Sequence, residues 1–237
     1  MSVVRPVRPA RPLALAAATA AAGLALLVVG DLLLTGRYDD ADPAILLWVR
    51  SLTGETGPAI ALARGITAIG NDVTLWIVTL LIAGYFAAAR RWRDLAQLLA
   101  VTSLGGLLTT ALKAIVDRPR PTLVPHLVDV SSASWPSGHA MNSAFVYGTL
   151  AIIAANNAAT ARERFYLLGA ALALVALTGT SRIVLGVHWP TDVLSGWAIG
   201  FAWPCSGKCA VSTCAAPRLP KLSLLLERVS VSVAAGK

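Results

Sequence analysis

A succession of long apolar runs, separated by short polar or basic segments, constrains this chain more than any other feature. Only 14% of its 237 residues are charged and 56% are hydrophobic, whereas a soluble domain carries about 25% charged residues. A helix that crosses a bilayer needs about 20 predominantly apolar residues. The sequence therefore predicts an all-α fold, a polytopic membrane helix bundle of about six spans. The predicted spans are Leu13–Leu34, Val73–Ala89, Leu95–Val116, Ala140–Ala155, Phe165–Gly179 and Pro190–Trp203.

The net charge of +8 allows two interpretations, a nucleic-acid partner or anchoring in a membrane. The basic residues are scattered between apolar runs, which favours contact with membrane lipids and argues against nucleic acid. The cluster at 90–93 marks a cytoplasmic turn, because positively charged loops stay inside. We therefore place the N-terminus and the turns at 90–94 and 156–164 inside, and the segments 37–72, 117–137 and 181–189 outside.

The N-terminal part divides into a basic leader at 1–12, expected in the cytoplasm, and the start of a membrane domain at 13–203. A cleaved signal peptide is the alternative for the first run, but its apolar core is usually about 7–15 residues long. Segment 37–72 holds two short apolar pieces, Ile45–Val49 and Ile60–Ile69. They are too short to cross, so we expect packing or interfacial helices at one membrane face.

The sixth predicted span is short. Pro190–Trp203 gives a helix of about 21 Å, against a hydrocarbon core of about 30 Å, and Pro204 follows at once. We expect this span to be truncated and residues 204–237 to form a divergent tail. The abrupt shift in mid-span motivates the hypothesis that the tail is out of frame relative to an ancestral gene. Translation of the other two frames tests it, and finding no apolar continuation in either would remove it. The tail contains the three cysteines, Cys205, Cys209 and Cys214, which we interpret as ordinary thiols.

Polar residues collect in three groups at the ends of the predicted spans. The first, 113–121, closes the third span, and the second, 136–139, opens the fourth. The third, 181–192, links the fifth and sixth spans. Consecutive spans run in opposite directions, so these groups are expected to meet at the outer face.

The composition of these groups predicts a phosphate-binding site. Lys113, Arg120 and Arg182 supply three cations, and the planar guanidinium matches phosphate oxygens. Ser137 and Gly138 precede a predicted helix start, where free backbone N–H groups point at an anion.

Two histidines and an aspartate add a reaction to that site. An aspartate at 192 that accepts a hydrogen bond from one ring nitrogen of His188 leaves the other nitrogen nucleophilic. His139 is then free to protonate a leaving oxygen. No carboxylate cluster suited to Mg²⁺ accompanies them, so we predict chemistry without a metal or other cofactor.

Each feature has a simpler explanation when it is taken alone. Lys113 and Asp117 form an i,i+4 helix pair worth about 0.2–0.5 kcal/mol. Arg118 and Arg120 could serve as headgroup anchors, and Pro-Ser-Gly as a turn and helix cap. His188 fits an interfacial histidine. Their joint placement on one face favours the functional interpretation.

The three groups resemble the motifs of the type 2 phosphatidic acid phosphatase superfamily, which also includes vanadium haloperoxidases. Lys113 stands seven residues before Arg120-Pro121, Pro136-Ser137-Gly138-His139 follows, and Ser181-Arg182 precedes His188 and Asp192. Order and spacing agree in all three blocks, over a region from the first span to Trp203. By spacing, Arg118 is a decoy, and His126 matches no block and is interpreted as a loop residue.

The resemblance implies a six-helix membrane enzyme that hydrolyses a lipid phosphate. His188 would form a phosphohistidine, Asp192 would orient it and His139 would protonate the leaving group. The remaining residues would hold the phosphoryl oxygens: Lys113, Arg120, Ser137, Gly138 and Arg182. Candidate substrates are undecaprenyl diphosphate, phosphatidic acid, phosphatidylglycerophosphate and diacylglycerol diphosphate, met in a bacterial inner membrane with the site facing outward.

Three other functions stay open at this point. An inactive homologue acting as a binding or scaffold protein is favoured by the short sixth span. A haloperoxidase is disfavoured because those relatives are soluble. A transporter would place polar residues near mid-membrane rather than at one face. The oligomeric state and the preference between mono- and diphosphates are not predicted.

Overall fold

The computed structural model of the protein describes residues 41–213, with side chains described as far as residue 202. In this part of the chain all the regular elements are helices and there is no strand, as predicted. Its helices are α1 (Ala41–Thr53), α2 (Pro58–Ile69), α3 (Asp72–Ala88), α4 (Trp92–Val116), α5 (Gly138–Asn157), α6 (Ala161–Val184) and α7 (Pro190–Thr213). The leader at 1–12, the predicted span 13–34 and residues 214–237 of the tail lie outside the described residues.

Two of these helices, α4 and α6, are each long and apolar enough to cross a membrane. The consecutive helices α2 and α3 meet that test together, bent by 43° at the break between them. The apolar pieces within 37–72 form α1 and α2, as expected. The polytopic membrane bundle is confirmed.

Local sequence fixes where several helices begin and end. Asn71 caps α3, because its side chain accepts a hydrogen bond from the backbone N–H of Val73 at 2.9 Å. Thr160 and Glu163 form a reciprocal capping box at the start of α6. At the other end of α4, Asp117 adopts a left-handed conformation, with φ of 43°, and stops the helix.

Helix α5 lies at the centre of the bundle, with most of its side chains buried. It approaches α7 closely because α7 carries glycines on the facing side. A Cβ atom on Gly200 would lie 2.6 Å from the Cβ of Ala144, and one on Gly196 would lie 2.9 Å from the carbonyl oxygen of Ser137. This contact brings the N-termini of α5 and α7 together, and the backbone N–H of Ser137 donates to the carbonyl of Asp192 at 3.0 Å.

Helix α7 corrects one expectation. It does not end at Trp203 but runs to Thr213, 24 residues in all, which gives about 36 Å of helix. Pro204 removes one backbone hydrogen bond and crowds the preceding turn. Membrane helices tolerate such a proline because neighbouring helices and local adjustments satisfy the freed groups. The break in sequence character at this point is therefore not a break in the helix.

Candidate active site

The three polar groups meet at one end of the bundle. Lys113 lies in the last turn of α4, and Arg120 lies in the loop that follows it. Ser137, Gly138 and His139 begin α5, and Arg182 lies in the last turn of α6. His188 lies in the short loop before α7, and Asp192 lies in the first turn of α7. The expected meeting of distant span ends thus holds for every predicted site residue.

The pair of His188 and Asp192 is almost fully buried, with exposed fractions of 2% and 0%. The Nδ1 atom of His188 lies 3.3 Å from Oδ2 of Asp192. That oxygen also accepts a hydrogen bond from the backbone N–H of Trp189 at 2.9 Å. Because the two residues are four apart across the start of α7, the carboxylate of Asp192 lies next to Nδ1 of His188. The Nε2 atom lies on the other side of the ring.

Nε2 of His188 faces Arg120, whose Nη1 atom lies 3.3 Å away. Burial lowers the pKa of the imidazole from 6.5 to about 4, with Asp192 opposing part of that change. His188 is therefore neutral at physiological pH. A neutral ring that donates through Nδ1 carries its lone pair on Nε2, which is the form a nucleophile requires.

Backbone carbonyls hold two of the predicted cations in place. Arg120 donates from Nε to the carbonyl of Ser132 at 2.8 Å and from Nη1 to that of Val187 at 2.7 Å. Lys113 donates to the carbonyl of Ala133. Neutral acceptors orient these side chains without cancelling their charge, so both cations stay available to an anion.

Two buried polar atoms at this site have no hydrogen-bond partner among the described residues. They are Oγ of Ser137 and Nε of Arg182. The other end of the Arg182 guanidinium is anchored, since Nη1 donates to Oγ1 of Thr67 at 2.7 Å. An unpartnered buried donor costs about 1–3 kcal/mol. A bound phosphoryl group would relieve that cost at both atoms.

His139 lies in the first turn of α5. It is close enough to His188, Lys113, Arg120 and Arg182 to interact electrostatically with all four. Its neighbour Gly138 packs against Lys113, because an added Cβ would lie 3.7 Å from the Cε atom of that lysine. The predicted acid and the predicted phosphate-binding groups thus share one small volume.

Arg118, interpreted as a decoy from its spacing, is a central residue of this site. Its Nη1 atom donates to Oδ1 of Asp192 at 2.7 Å and its Nη2 atom to Oδ2 of Asp42 at 2.9 Å. Asp42 lies in the first turn of α1 and accepts the backbone N–H of Thr191 at 3.0 Å. The chain Asp42, Arg118, Asp192, His188 links α1 to the predicted nucleophile.

Ser134 and Asp42 belong to this site as well, although neither was predicted from the sequence. The hydroxyl of Ser134 donates to Oδ2 of Asp192 and lies 3.5 Å from Nδ1 of His188. One general rule could have pointed to such partners: a buried carboxylate is paired or hydrogen-bonded at both oxygens. His126, in contrast, contacts the carbonyl of Pro121 at 2.7 Å and stays a loop residue.

A cavity of about 800 Å³ opens beside the site, between α3, α4 and α5. Lys113 and Gly138 form part of its wall at the polar end. Its apolar wall is formed by Leu75, Trp76, Leu107, Phe145 and Val146. The cavity therefore offers apolar space directly next to the predicted phosphate-binding groups.

Comparison with known proteins identifies the family to which this chain belongs. The model of the PAP2 superfamily matches residues 94–213. Phosphatidylglycerophosphatase B of Bacillus subtilis is 37% identical over 140 residues, covering 57% of this chain and 67% of that protein. Decaprenylphosphoryl-5-phosphoribose phosphatase of Mycobacterium tuberculosis is 31% identical over 167 residues, covering 69% of this chain and 87% of that protein.

A solved structure agrees with these relatives. The crystal structure of a transmembrane PAP2-type phosphatidylglycerolphosphate phosphatase from Bacillus subtilis superposes with a TM-score of 0.74 at 30% sequence identity. The match covers 85% of this chain and 98% of that one. The family match includes all three motif blocks and continues through the whole of α7. The chain belongs to the PAP2 superfamily and is one of its membrane phosphatases.

Proposed function

We propose that this protein hydrolyses a lipid phosphate through a phosphohistidine formed on His188. The observation that supports it best is a buried, neutral His188 with two cations close to it, Arg120 and Arg182, at a site where two buried polar atoms lack a partner among the described residues. Such an arrangement binds a phosphoryl group and presents a nitrogen lone pair to it. The relatives include phosphatases whose names specify lipid phosphates.

In the first step, Nε2 of His188 attacks phosphorus and the bond to the leaving oxygen breaks. His139, which is protonated in the substrate complex, gives its proton to that oxygen and becomes neutral, so the lipid leaves as a neutral alcohol. Asp192 holds Nδ1 and stabilises the positive charge that develops on the ring. Lys113, Arg120 and Arg182, with Ser137 and the first amides of α5, hold the three phosphoryl oxygens, because phosphoryl transfer depends mainly on positioning and charge stabilisation.

In the second step, water attacks phosphorus and breaks the P–N bond. The proton that the water loses passes to His139, which was left unprotonated by the first step. Inorganic phosphate leaves and His188 returns to its neutral form. Both steps balance without a metal ion or an external cofactor.

The position of the site supports a lipid substrate met at a membrane face. Lys113 and Gly138 border both the phosphate-binding volume and the apolar cavity, so a lipid can place its phosphate at one end and its chain in the other. We propose a bacterial inner membrane with this end outside, on the basis of the basic turns at the opposite end. The continuation of α7 to Thr213 argues against the early end of this helix that favoured an inactive homologue.

The test is phosphate release by the purified full-length protein in detergent, with a chelator present and no added metal. Phosphatidic acid, phosphatidylglycerophosphate and undecaprenyl diphosphate are the substrates, and His188→Ala is the matched variant. We expect release that survives chelation and is lost in the variant. Folded protein that releases no phosphate from any of the three, or a variant that remains active, would refute the proposal.

A further inference from the structure

One turn of helix separates the phosphate-binding groups from a second set of polar side chains in the cavity. Thr109 lies four residues before Lys113 on α4, and Asn142 lies four residues after Gly138 on α5. Asp72 is the first residue of α3. All three line the cavity together with Lys113 and Gly138. They stand at its polar end, where the atoms that join a phosphate to a lipid chain would lie.

Hydrogen bonds fix the orientation of this set. Nδ2 of Asn142 donates to Oδ1 of Asp72 at 3.0 Å. The hydroxyl of Thr109 lies 2.8 Å from Oδ1 of Asn142 and 3.0 Å from the carbonyl oxygen of Gly105. It has one proton and therefore donates to only one of these two oxygens at a time. Asp72 is an exposed residue, and no donor among the described residues contacts its Oδ2 atom. The asparagine thus holds a carboxylate with one acceptor free.

The charge of Asp72 acts on the phosphate site itself. The carboxylate is close enough to Lys113 to attract its ammonium group, and Asp117 adds a second carboxylate to the same cavity wall. A substrate group next to the phosphoryl ester therefore meets hydrogen-bond acceptors and negative charge. A hydroxyl group satisfies both conditions, whereas a second phosphate is repelled.

We infer that Asp72, held by Asn142, is a specificity-determining residue that accepts a hydrogen bond from a hydroxyl on the leaving group. The protein would then prefer phosphomonoesters whose phosphate is carried on a glycerol or sugar hydroxyl group next to a free hydroxyl, over lipid diphosphates. This inference rests on the proposed hydrolysis, and it names the substrate class for that same site.

The test compares three substrates with the full-length protein in detergent. The first is phosphatidylglycerophosphate, the second is its analogue without the free glycerol hydroxyl, and the third is a polyprenyl diphosphate. The first two differ by one hydroxyl only, so their kcat/KM ratio measures its recognition. A hydrogen bond to a charged acceptor is worth about 1.5–3 kcal/mol, so we expect the wild type to prefer the hydroxylated lipid by about tenfold or more.

Asp72→Asn is the informative variant, and exposed Glu55→Gln is the matched control for loss of one carboxylate. In Asp72→Asn we expect the ratio of kcat/KM for the hydroxylated lipid to kcat/KM for its analogue to fall at least about threefold. The kcat/KM for the analogue should stay at its wild-type value, and the diphosphate should be hydrolysed faster. Glu55→Gln should keep the wild-type ratio. Asn142→Ala, which releases Asp72, should lower the ratio independently.

The possible outcomes distinguish a failure of this inference from a failure of the proposed hydrolysis. A ratio unchanged in Asp72→Asn, or an equal loss of activity on the hydroxylated lipid and its analogue, would overturn the specificity role while leaving hydrolysis intact. A wild type that hydrolyses none of the three lipids would overturn the proposed function, and this inference with it.

Discussion

Arg118 donates a 2.7 Å hydrogen bond to the carboxylate of Asp192, so the residue that orients His188 is itself held by a cation from another loop. The same guanidinium reaches Asp42 on α1 at 2.9 Å. Both carboxylates are buried, and the positive charge of the arginine between them offsets their mutual repulsion. The proposed nucleophile, His188, is thus positioned by residues from three separate segments of the chain.

The first prediction concerns this arginine. Arg118→Lys keeps the charge but loses the fork that contacts both carboxylates, so kcat should fall about tenfold or more while KM changes less. Because the two carboxylates are buried, the melting temperature should fall as well. Arg93→Lys, exposed at the opposite end of the bundle, should leave both unchanged. Wild-type kcat in Arg118→Lys would show that Arg118 does not position Asp192.

The second prediction separates the two histidines. His139→Ala should lower kcat for an alkyl lipid phosphate by about 10²–10⁴, the usual contribution of a general acid. The loss should be much smaller with p-nitrophenyl phosphate, whose leaving group needs no proton. His188→Ala should abolish hydrolysis of both substrates. An equal loss in His139→Ala on both substrates would contradict the role of His139 as the acid.

The third prediction concerns pH. Burial lowers the pKa of His188 to about 4 in the folded protein, below its ordinary 6.5. Between these values the unfolded chain binds a proton that the folded protein does not, so this group destabilises the fold as pH falls from 6.5 towards 4. We expect thermal stability to fall across that window, and to fall less steeply in His188→Gln. Identical pH profiles for the two proteins would contradict a buried, neutral histidine.

The fourth prediction uses the hydroxyl of Ser137, which is buried and unpartnered. Ser137→Ala removes a polar atom that costs free energy in the empty site, so the melting temperature should stay equal or rise. Inhibition by inorganic phosphate should weaken at the same time. Thr149→Val, at another buried and unpartnered hydroxyl on α5, is the control that should leave phosphate inhibition unchanged. Unaltered inhibition in Ser137→Ala would remove Ser137 from the phosphate-binding set.

The helical membrane bundle, and the residues that meet at one end of it, could be predicted because both depend on local sequence patterns. Apolar runs mark the spans, and the alternation of their direction places Lys113, His139 and His188 at one end. The spacing of His188 and Asp192 by four residues across a helix start fixes their contact before any tertiary structure is considered. These relationships depend only on helix geometry.

The partners of Asp192 could not be predicted in the same way. Arg118 and Asp42 are 76 residues apart, and their contact depends on how α1 packs at the end of the bundle. The spacing of the first motif excluded Arg118 from the predicted phosphate-binding residues. The same spacing does not indicate which carboxylates the side chain of Arg118 contacts. The end of α7 was mistaken for a similar reason, since the environment around Pro204 decides whether the helix continues.

The proposed mechanism depends on a covalent bond between phosphorus and His188. The most direct measurement is rapid acid-free quenching of the protein during turnover of a lipid labelled with ³²P at its terminal phosphate, followed by mapping of the label. We predict label on His188, stable in base and lost in acid, and none in His188→Ala. Turnover of the labelled lipid at the wild-type rate by His188→Ala, or label on another residue, would contradict the account.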